Sequence, residues 1–228
     1  MIHVEVRRAS GDSFELDVNE QSDIACLKTA ITNRWKVPFL CQELSTGTRI
    51  LQDPDQVCTF SVSSVLVVTL VVTMERLFKE IRCGPDKLFA LSNLAHLGIG
   101  AGEHAIDAVV ERFADHDADV KVAALQTLCA IVETADDEVL PHVFARLLDV
   151  NWPVRKAAVS IISRIAKRGH RLSVDTLVEC LADEDDYVRL AAVQALAQLA
   201  NRGDDATLSG VMLHLYDTNW GVRHWKCM

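Results

Sequence analysis

Four segments of the chain align without a gap: DHDADVKVAA at 115–124, DVNWPVRKAA at 149–158, DEDDYVRLAA at 183–192 and DTNWGVRHWK at 217–226. Their starting points are 34 residues apart in each case. Self-similarity at a fixed period of this size is typical of proteins built from stacked helical units. The alignment therefore predicts a repeat array rather than a single globular core.

The columns of this alignment have physical roles. The third position holds residues that can accept hydrogen bonds from the free amides of a starting helix, namely Asp117, Asn151, Asp185 and Asn219. An apolar stripe follows each cap, as with Leu125, Leu128 and Ile131 in the first copy, and it predicts an amphipathic helix. A second apolar set precedes each opening aspartate. Each unit therefore reads as two helices joined by a tight turn, and only stacking buries its inner face.

The pattern D-x-[DN]-x-x-V-[RK]-x-A-A resembles the short HEAT-like repeats of the phycobilisome-lyase type. Tetratricopeptide repeats share the period, but their Trp, Leu, Gly, Tyr and closing Pro pattern is absent. Counting back one period from Lys121 reaches Lys87, which marks a degenerate first copy. The resemblance implies an all-α HEAT-like helical-hairpin solenoid over residues 74–228, with about five hairpins, the first degenerate and the last truncated.

An aspartate opens each copy and a basic residue follows six positions later. The resemblance implies that these residues form a structural ladder along the inter-helix turns, pairing neighbouring repeats: Asp115, Lys121, Asp149, Arg155, Asp183, Arg189, Asp217 and Arg223. Exposed links of this kind are expected to contribute under about 1 kcal/mol each.

Two tryptophans are the candidate partner-binding residues. Trp152 and Trp220 both follow the asparagine of the turn and lie two repeats apart, while the intervening copy has Asp186. Tryptophan is enriched in binding hot spots, so exposed side chains here would favour partner capture. The alternative is a structural role, with each indole folded over an adjacent helix end.

Residues 1–73 contain no trace of the repeat. Alternating apolar residues around Gly11 predict a β-hairpin, Ser22 or Asp23 can cap a helix that ends near Trp35, and the last strand is 65–72. This succession resembles ubiquitin, with the closest local match at VPFLCQEL…GTRILQD. The resemblance implies an α+β ubiquitin-like (β-grasp) domain over 1–73.

The N-terminal segment also departs from ubiquitin. No Gly-Gly follows the final strand, because the chain continues as Thr73-Met74-Glu75. Ser45 stands where the family's recognition face has an isoleucine, and Glu43 replaces a basic neighbour. The module is therefore predicted to be an integral domain that is not conjugated to targets.

Composition limits the class of partner and the compartment. The formal net charge of −9 argues against nucleic acid, which requires clustered cations. The seven scattered cysteines lack a C-x-x-C motif and indicate reduced thiols in the cytoplasm. The N-terminus lacks the apolar region of a secretory signal, and no apolar run is long enough to cross a membrane.

No motif for catalysis, a cofactor or a metal is found. Deoxyhypusine hydroxylase, which resembles this repeat class, binds iron through recurring His-Glu pairs, and the chain has no His-Glu dipeptide. Bilin-lyase subunits resemble the repeats too, and Cys129 and Cys180 lie in helix stripes. The leading hypothesis is a non-catalytic scaffold that binds other proteins. The alternatives are a bilin-lyase-like enzyme subunit or a metal-dependent hydroxylase-like protein.

The final copy breaks off within its second helix, where Trp225 replaces the usual alanine. Its apolar flank is expected to be partly open. A truncated product, a surface supplied by a partner, or fraying would each explain this ending. Self-association through the open repeat is therefore a further prediction.

Overall fold

A computed structural model describes residues 1–60, 65–133, 139–201 and 212, without the side chain of residue 103. The chain divides into two compact units, Met1–Asp86 and Lys87–Met228. The predicted fold class, an α+β domain followed by a helical solenoid, is confirmed by the sheet of the first unit and the helices of the second.

The first unit contains a five-stranded mixed sheet. Its strands are β1 (Ile2–Arg8), β2 (Ser13–Val18), β3 (Gln42–Thr46), β4 (Arg49–Leu51) and β5 (Val65–Val72), in the order β2-β1-β5-β3-β4. β5 pairs in parallel with β1 and antiparallel with β3, so the most hydrophobic run of the chain is the central strand. Alternate residues of β1 and β5 are buried, which leaves the other face of the sheet to carry the exposed residues.

Helix α1 (Ile24–Trp35) follows the first hairpin. Asp23 is its cap, because the carboxylate accepts a hydrogen bond from Cys26 N at 2.9 Å. The helix ends where Lys36 adopts the left-handed conformation with φ of 58°. Both ends agree with the expectation from the sequence.

Helix α2 (Glu75–Cys83) belongs to the first unit, although the sequence places the domain boundary after Thr73. Thr73 N donates to Cys41 O at 2.9 Å as β5 ends. Arg76 then forms an ion pair with Asp53, which also pairs with the buried amine of Lys28 at 2.6 Å. These contacts join the segment after the last strand to the sheet domain, and the first unit extends to Asp86.

The described part of the second unit consists of helices arranged in hairpins. They are α3 (Lys87–Leu97), α4 (Glu103–Glu111), α5 (Ala118–Ile131), α6 (Leu140–Phe144), α7 (Trp152–Ile165), α8 (Arg171–Glu179) and α9 (Asp186–Leu199). We define repeat 1 as α4 with α5, repeat 2 as α6 with α7, and repeat 3 as α8 with α9. The second helices pack side by side in the order α3, α5, α7, α9. The predicted stacking of two-helix units is therefore observed in this part of the chain.

The apolar stripes predicted from the repeat are buried between the helices. Leu125, Leu128 and Ile131 of α5 and Val159 and Ile162 of α7 are all at most 7 % exposed. None of the helices within the described residues is long and apolar enough to cross a membrane.

Candidate partner-binding groove

The aspartates and basic residues of the repeat form ion pairs between consecutive copies. Lys87 Nζ lies 2.7 Å from Asp115 Oδ2, Lys121 Nζ lies 2.7 Å from Asp149 Oδ2, and Arg155 Nε lies 2.8 Å from Asp183 Oδ2. Each pair joins residues 28 apart, so the base of one copy reaches the aspartate that opens the next. We call this set of pairs the ladder.

Each ladder aspartate also shapes the turn that follows it. The Oδ1 atoms of Asp115, Asp149 and Asp183 accept hydrogen bonds from the backbone amide two residues later, at 2.9 to 3.1 Å. The residue whose amide donates this bond is the N-cap of the second helix. Asp117 and Asp185 also cap through the side chain, whereas Asn151 does not. One carboxylate therefore fixes both the turn within a copy and the register between copies.

Arg155 makes more contacts than the lysines of the same column. Its guanidinium binds both carboxylate oxygens of Asp183, and Nη1 donates to Asp149 O at 2.9 Å. Arg189 repeats the last contact, since its Nη1 donates to Asp183 O at 3.0 Å. The planar fork of arginine can serve two copies at once, whereas an ammonium is a single point charge.

The ladder is largely buried, in contrast to the exposed links expected from the sequence. The side chain of Asp149 is 5 % exposed and that of Arg155 is 8 % exposed. Burial raises the pKa of Asp183, but the hydrogen bonds from Arg155 and from Asp185 N outweigh it and leave the pKa of this carboxyl below its ordinary value. The same balance lowers the pKa of Asp115 and of Asp149. Asp217 and Arg223 lie outside the described residues.

Trp152 begins α7 and contacts an aromatic residue of the next repeat. Its ring stacks on Tyr187, with centroids 5.2 Å apart and planes inclined by 22°. The two side chains remain 39 % and 52 % exposed. The stack therefore combines the structural role and the accessibility that the sequence presented as alternatives. Trp220 lies outside the described residues.

A groove of 360 Å³ lies between α5 and α7, beside this stack. The α7 side contributes Trp152, Lys156, Ser160 and Arg164, which are spaced four residues apart and so form one row on the helix. The α5 side contributes Val122 and Gln126, again four apart. We call this surface the α5–α7 groove.

The groove is positively charged. Lys156 and Arg164 are both exposed, and neither forms an ion pair with another residue in the described part of the chain. Lys156 Nζ lies 5.6 Å from the centroid of the Tyr187 ring, which places this cation at the aromatic end. No acidic side chain is among the residues that line the groove as described. Sequence reasoning found Trp152 but missed Tyr187, Lys156 and Arg164.

The turn that leads into α7 is unusually apolar. Leu148 and Val150 flank the buried Asp149 and are 88 % and 87 % exposed. The matching positions of the other copies hold alanine, histidine or glutamate in the described repeats. Repeat 2 therefore concentrates exposed apolar surface next to Trp152.

The residues considered for chemistry have other surroundings. Burial raises the pKa of the Cys180 thiol to about 12 and also raises that of Cys129, so both are protonated at neutral pH and poorly nucleophilic. His170 caps α8, because its Nδ1 accepts a hydrogen bond from Ser173 N. Within residues 1–60, 65–133 and 139–201, no group of three or more His, Cys, Asp or Glu side chains is arranged to hold a metal ion.

The comparison with protein families agrees with this architecture. The family model of HEAT repeats matches residues 106–197 and 152–226, which together make up more than half of the chain. A comparison with curated proteins returns no match. The matched span contains the ladder from Asp115 onward, the Trp152–Tyr187 stack and the α5–α7 groove. The chain belongs to the HEAT-repeat family.

Proposed function

We propose that this protein is a non-catalytic scaffold whose HEAT-repeat unit binds another protein through the α5–α7 groove. The observation that carries the proposal is the accessible Trp152–Tyr187 stack at one end of a groove with two cations that form no ion pair among the described residues. Aromatic side chains with a large accessible area and a rigid setting are the usual anchors of protein interfaces. The exposed Leu148 and Val150 beside the stack enlarge the apolar surface available to a partner.

The proposal includes a non-conjugated, ubiquitin-like role for the first unit. Its support is the succession of hairpin, helix, short strands and final central strand, which the resemblance to ubiquitin implies. The segment after β5 is a helix held by the Arg76–Asp53 ion pair and by the Thr73–Cys41 hydrogen bond. A chain segment folded in this way is not the free, extended tail that a conjugating enzyme needs. The scattered thiols, of which six are free in the described residues, suit a reducing compartment such as the cytoplasm.

Affinity purification of the full chain, followed by size-exclusion chromatography of the recovered complex, tests the scaffold role. The Trp152→Ala/Tyr187→Ala variant removes the stack and is expected to lose the partner while keeping its helical circular dichroism. Leu172→Ala is the matched control, because Leu172 is an exposed apolar residue on α8, outside the groove.

A partner that is retained equally by all three proteins would contradict the assignment of the groove. The same holds if Leu172→Ala releases the partner as completely as the double substitution does.

A further inference from the structure

We infer that the α5–α7 groove binds an extended acidic peptide segment of a partner protein, with an apolar side chain at one end. The inference rests on the proposed function and names the chemistry of the partner. It follows from the order in which residues occur along the row of α7 and from the charge of the groove relative to the rest of the molecule.

The row on α7 reads aromatic, cation, hydroxyl, cation. It starts at Trp152, continues through Lys156 and Ser160, and ends at Arg164. Ser160 Oγ already donates to Lys156 O at 3.0 Å, so the hydroxyl is engaged within the helix. The groups that remain for a ligand are the indole at one end and the two cations beyond it.

The charges of the groove favour an anionic occupant. Lys156 and Arg164 lie on the surface of a chain whose formal net charge is −9, so this pair is a local positive site on an acidic protein. Carboxylates that meet the two cations would gain complementary contacts, whereas a basic segment would face uncompensated repulsion. Two cations are too few for a nucleic-acid strand, whose affinity depends on neutralising many phosphates.

The spacing of the row predicts the spacing of the ligand. Lys156 and Arg164 are separated by eight helical residues, which corresponds to about 12 Å along the axis. Trp152 precedes Lys156 by about 6 Å on the same scale. In an extended peptide, alternate side chains face the same surface and recur about every 6.6 Å. An apolar residue at peptide position one, with carboxylates at positions three and seven, would therefore meet Trp152, Lys156 and Arg164 in turn.

The aromatic end of the groove determines the orientation in which the peptide binds. Trp152 stacks on Tyr187 with part of its surface exposed, and its indole N–H donates to no other described residue. The indole can therefore cover an apolar side chain and donate a hydrogen bond to a peptide carbonyl. Lys156, which lies near the Tyr187 ring, supplies the first charge next to this contact.

Fluorescence anisotropy with two isomeric peptides tests the inference on the full chain. The probe peptide carries Phe at position one, Glu at positions three and seven, and Ser or Ala elsewhere. The isomer has the same composition, with both Glu residues next to Phe. We expect the probe to bind at least about tenfold more tightly than the isomer, because only the probe places both carboxylates at cations.

Charge reversal supplies the matched variants. Lys156→Glu/Arg164→Glu is expected to weaken binding of the probe by at least about tenfold. Lys167→Glu/Arg168→Glu changes the net charge equally at exposed positions beyond the end of α7, and is expected to change the affinity by less than about twofold. Trp152→Ala is expected to weaken binding of the probe peptide and of the isomer to the same extent.

Several results would overturn the inference. Equal affinity for the two isomeric peptides, or an equal loss of affinity in the two charge-reversal variants, would show that binding depends on non-specific electrostatic attraction. Tighter binding of an oligothymidylate of equal charge would identify a nucleic-acid site instead. Concentration-dependent self-association that Lys156→Glu/Arg164→Glu abolishes would identify a second copy as the occupant. If the purified partner still depends on Trp152 while both peptides fail, the scaffold role survives and only the acidic peptide is wrong.

Discussion

At the scale of single residues, Arg155 explains why the repeats keep their register. It binds the carboxylate of Asp183 in the next repeat with two hydrogen bonds, and it also binds the carbonyl of Asp149 in its own repeat. The side chain of Lys121, in the same column, contacts one carboxylate oxygen of Asp149 and no other polar atom among the described residues. Arginine and lysine therefore give the same sequence pattern but different numbers of contacts.

Arg155→Met is expected to lower the free energy of unfolding by about 3 kcal/mol, because it leaves a buried carboxylate without its counter-ion. Arg155→Lys is expected to cost about 1 kcal/mol, since a single ammonium retains the charge but loses the fork geometry. Urea denaturation followed by circular dichroism measures both values. Lys167→Met, at an exposed position, is the control and should change stability by less than about 0.5 kcal/mol.

The double variant Arg155→Met/Asp183→Asn separates the contribution of the Arg155–Asp183 ion pair from that of the other contacts of Arg155. If the ion pair is responsible, the double variant is more stable than the sum of the single losses predicts. Additive losses would show that Arg155 stabilises the fold through its other contacts.

The ladder carboxylates also predict how stability depends on pH. The pKa of Asp183 in the folded protein is below its ordinary value, because the hydrogen bonds from Arg155 outweigh the effect of burial. A depressed pKa contributes stability above the unfolded value of about 3.9, and this contribution is lost as the pH falls through the folded pKa.

The urea midpoint of the wild type should therefore fall as the pH is lowered from about 5 toward 3, with the ladder carboxylates contributing to the slope. Asp183→Asn removes one of these groups and should make the dependence shallower. An unchanged slope in the variant would show that Asp183 takes no part in the acid transition.

At the scale of secondary-structure elements, α2 is the segment whose assignment differs most from the expectation. The repeat period suggests that it is the first helix of a degenerate copy, and a helix is present at that place. It nevertheless belongs to the first unit, where Arg76 pairs with Asp53 and where Asp53 pairs with the buried Lys28. Periodicity predicts which residues are helical, whereas the unit that a helix joins depends on long-range contacts such as the Arg76–Asp53 ion pair.

Arg76→Ala is expected to increase hydrogen exchange of the α2 amides while the amides of β1 and β5 stay protected. The effect on global stability should be at most about 1 kcal/mol, because the Arg76 side chain is half exposed. Exchange mass spectrometry measures this difference. Lys79→Ala, which removes an exposed cation from the same helix, should leave exchange unchanged; an equal increase there would exclude a specific role for the ion pair.

At the scale of the whole molecule, much of the architecture could be predicted from the sequence. A fixed period with an invariant aspartate and a recurring valine determines the hairpins, since both the caps and the buried stripes follow from local chemistry. The caps at Asp117 and Asp185 were predicted for this reason, whereas the strand over Val65–Val72 was predicted from its apolar, β-branched run.

The groove could be predicted only in part. Trp152 stands out in the sequence, but Tyr187 is one position out of register with it, and only the packing of two repeats brings the rings together. The four-residue spacing of Trp152, Lys156, Ser160 and Arg164 is visible in the sequence, yet many surface rows share that spacing. The burial of the ladder also depends on how closely the turns of adjacent copies approach, which a repeat pattern does not specify.

The ladder has a consequence for changes in the number of copies. Each of the three described links joins a base to the aspartate 28 positions later. Removal of one full period, residues 149–182, would therefore bring Asp183 to the position that Asp149 occupies relative to Lys121. The shortened chain is expected to fold cooperatively with a lower melting temperature, as nearest-neighbour stacks do when a member is lost. Removal of residues 149–180 instead leaves Asp183 two positions out of register with Lys121 and should give an unstable protein. Gain or loss of whole periods would thus be tolerated, because each copy supplies an aspartate for the preceding copy and a basic residue for the following one.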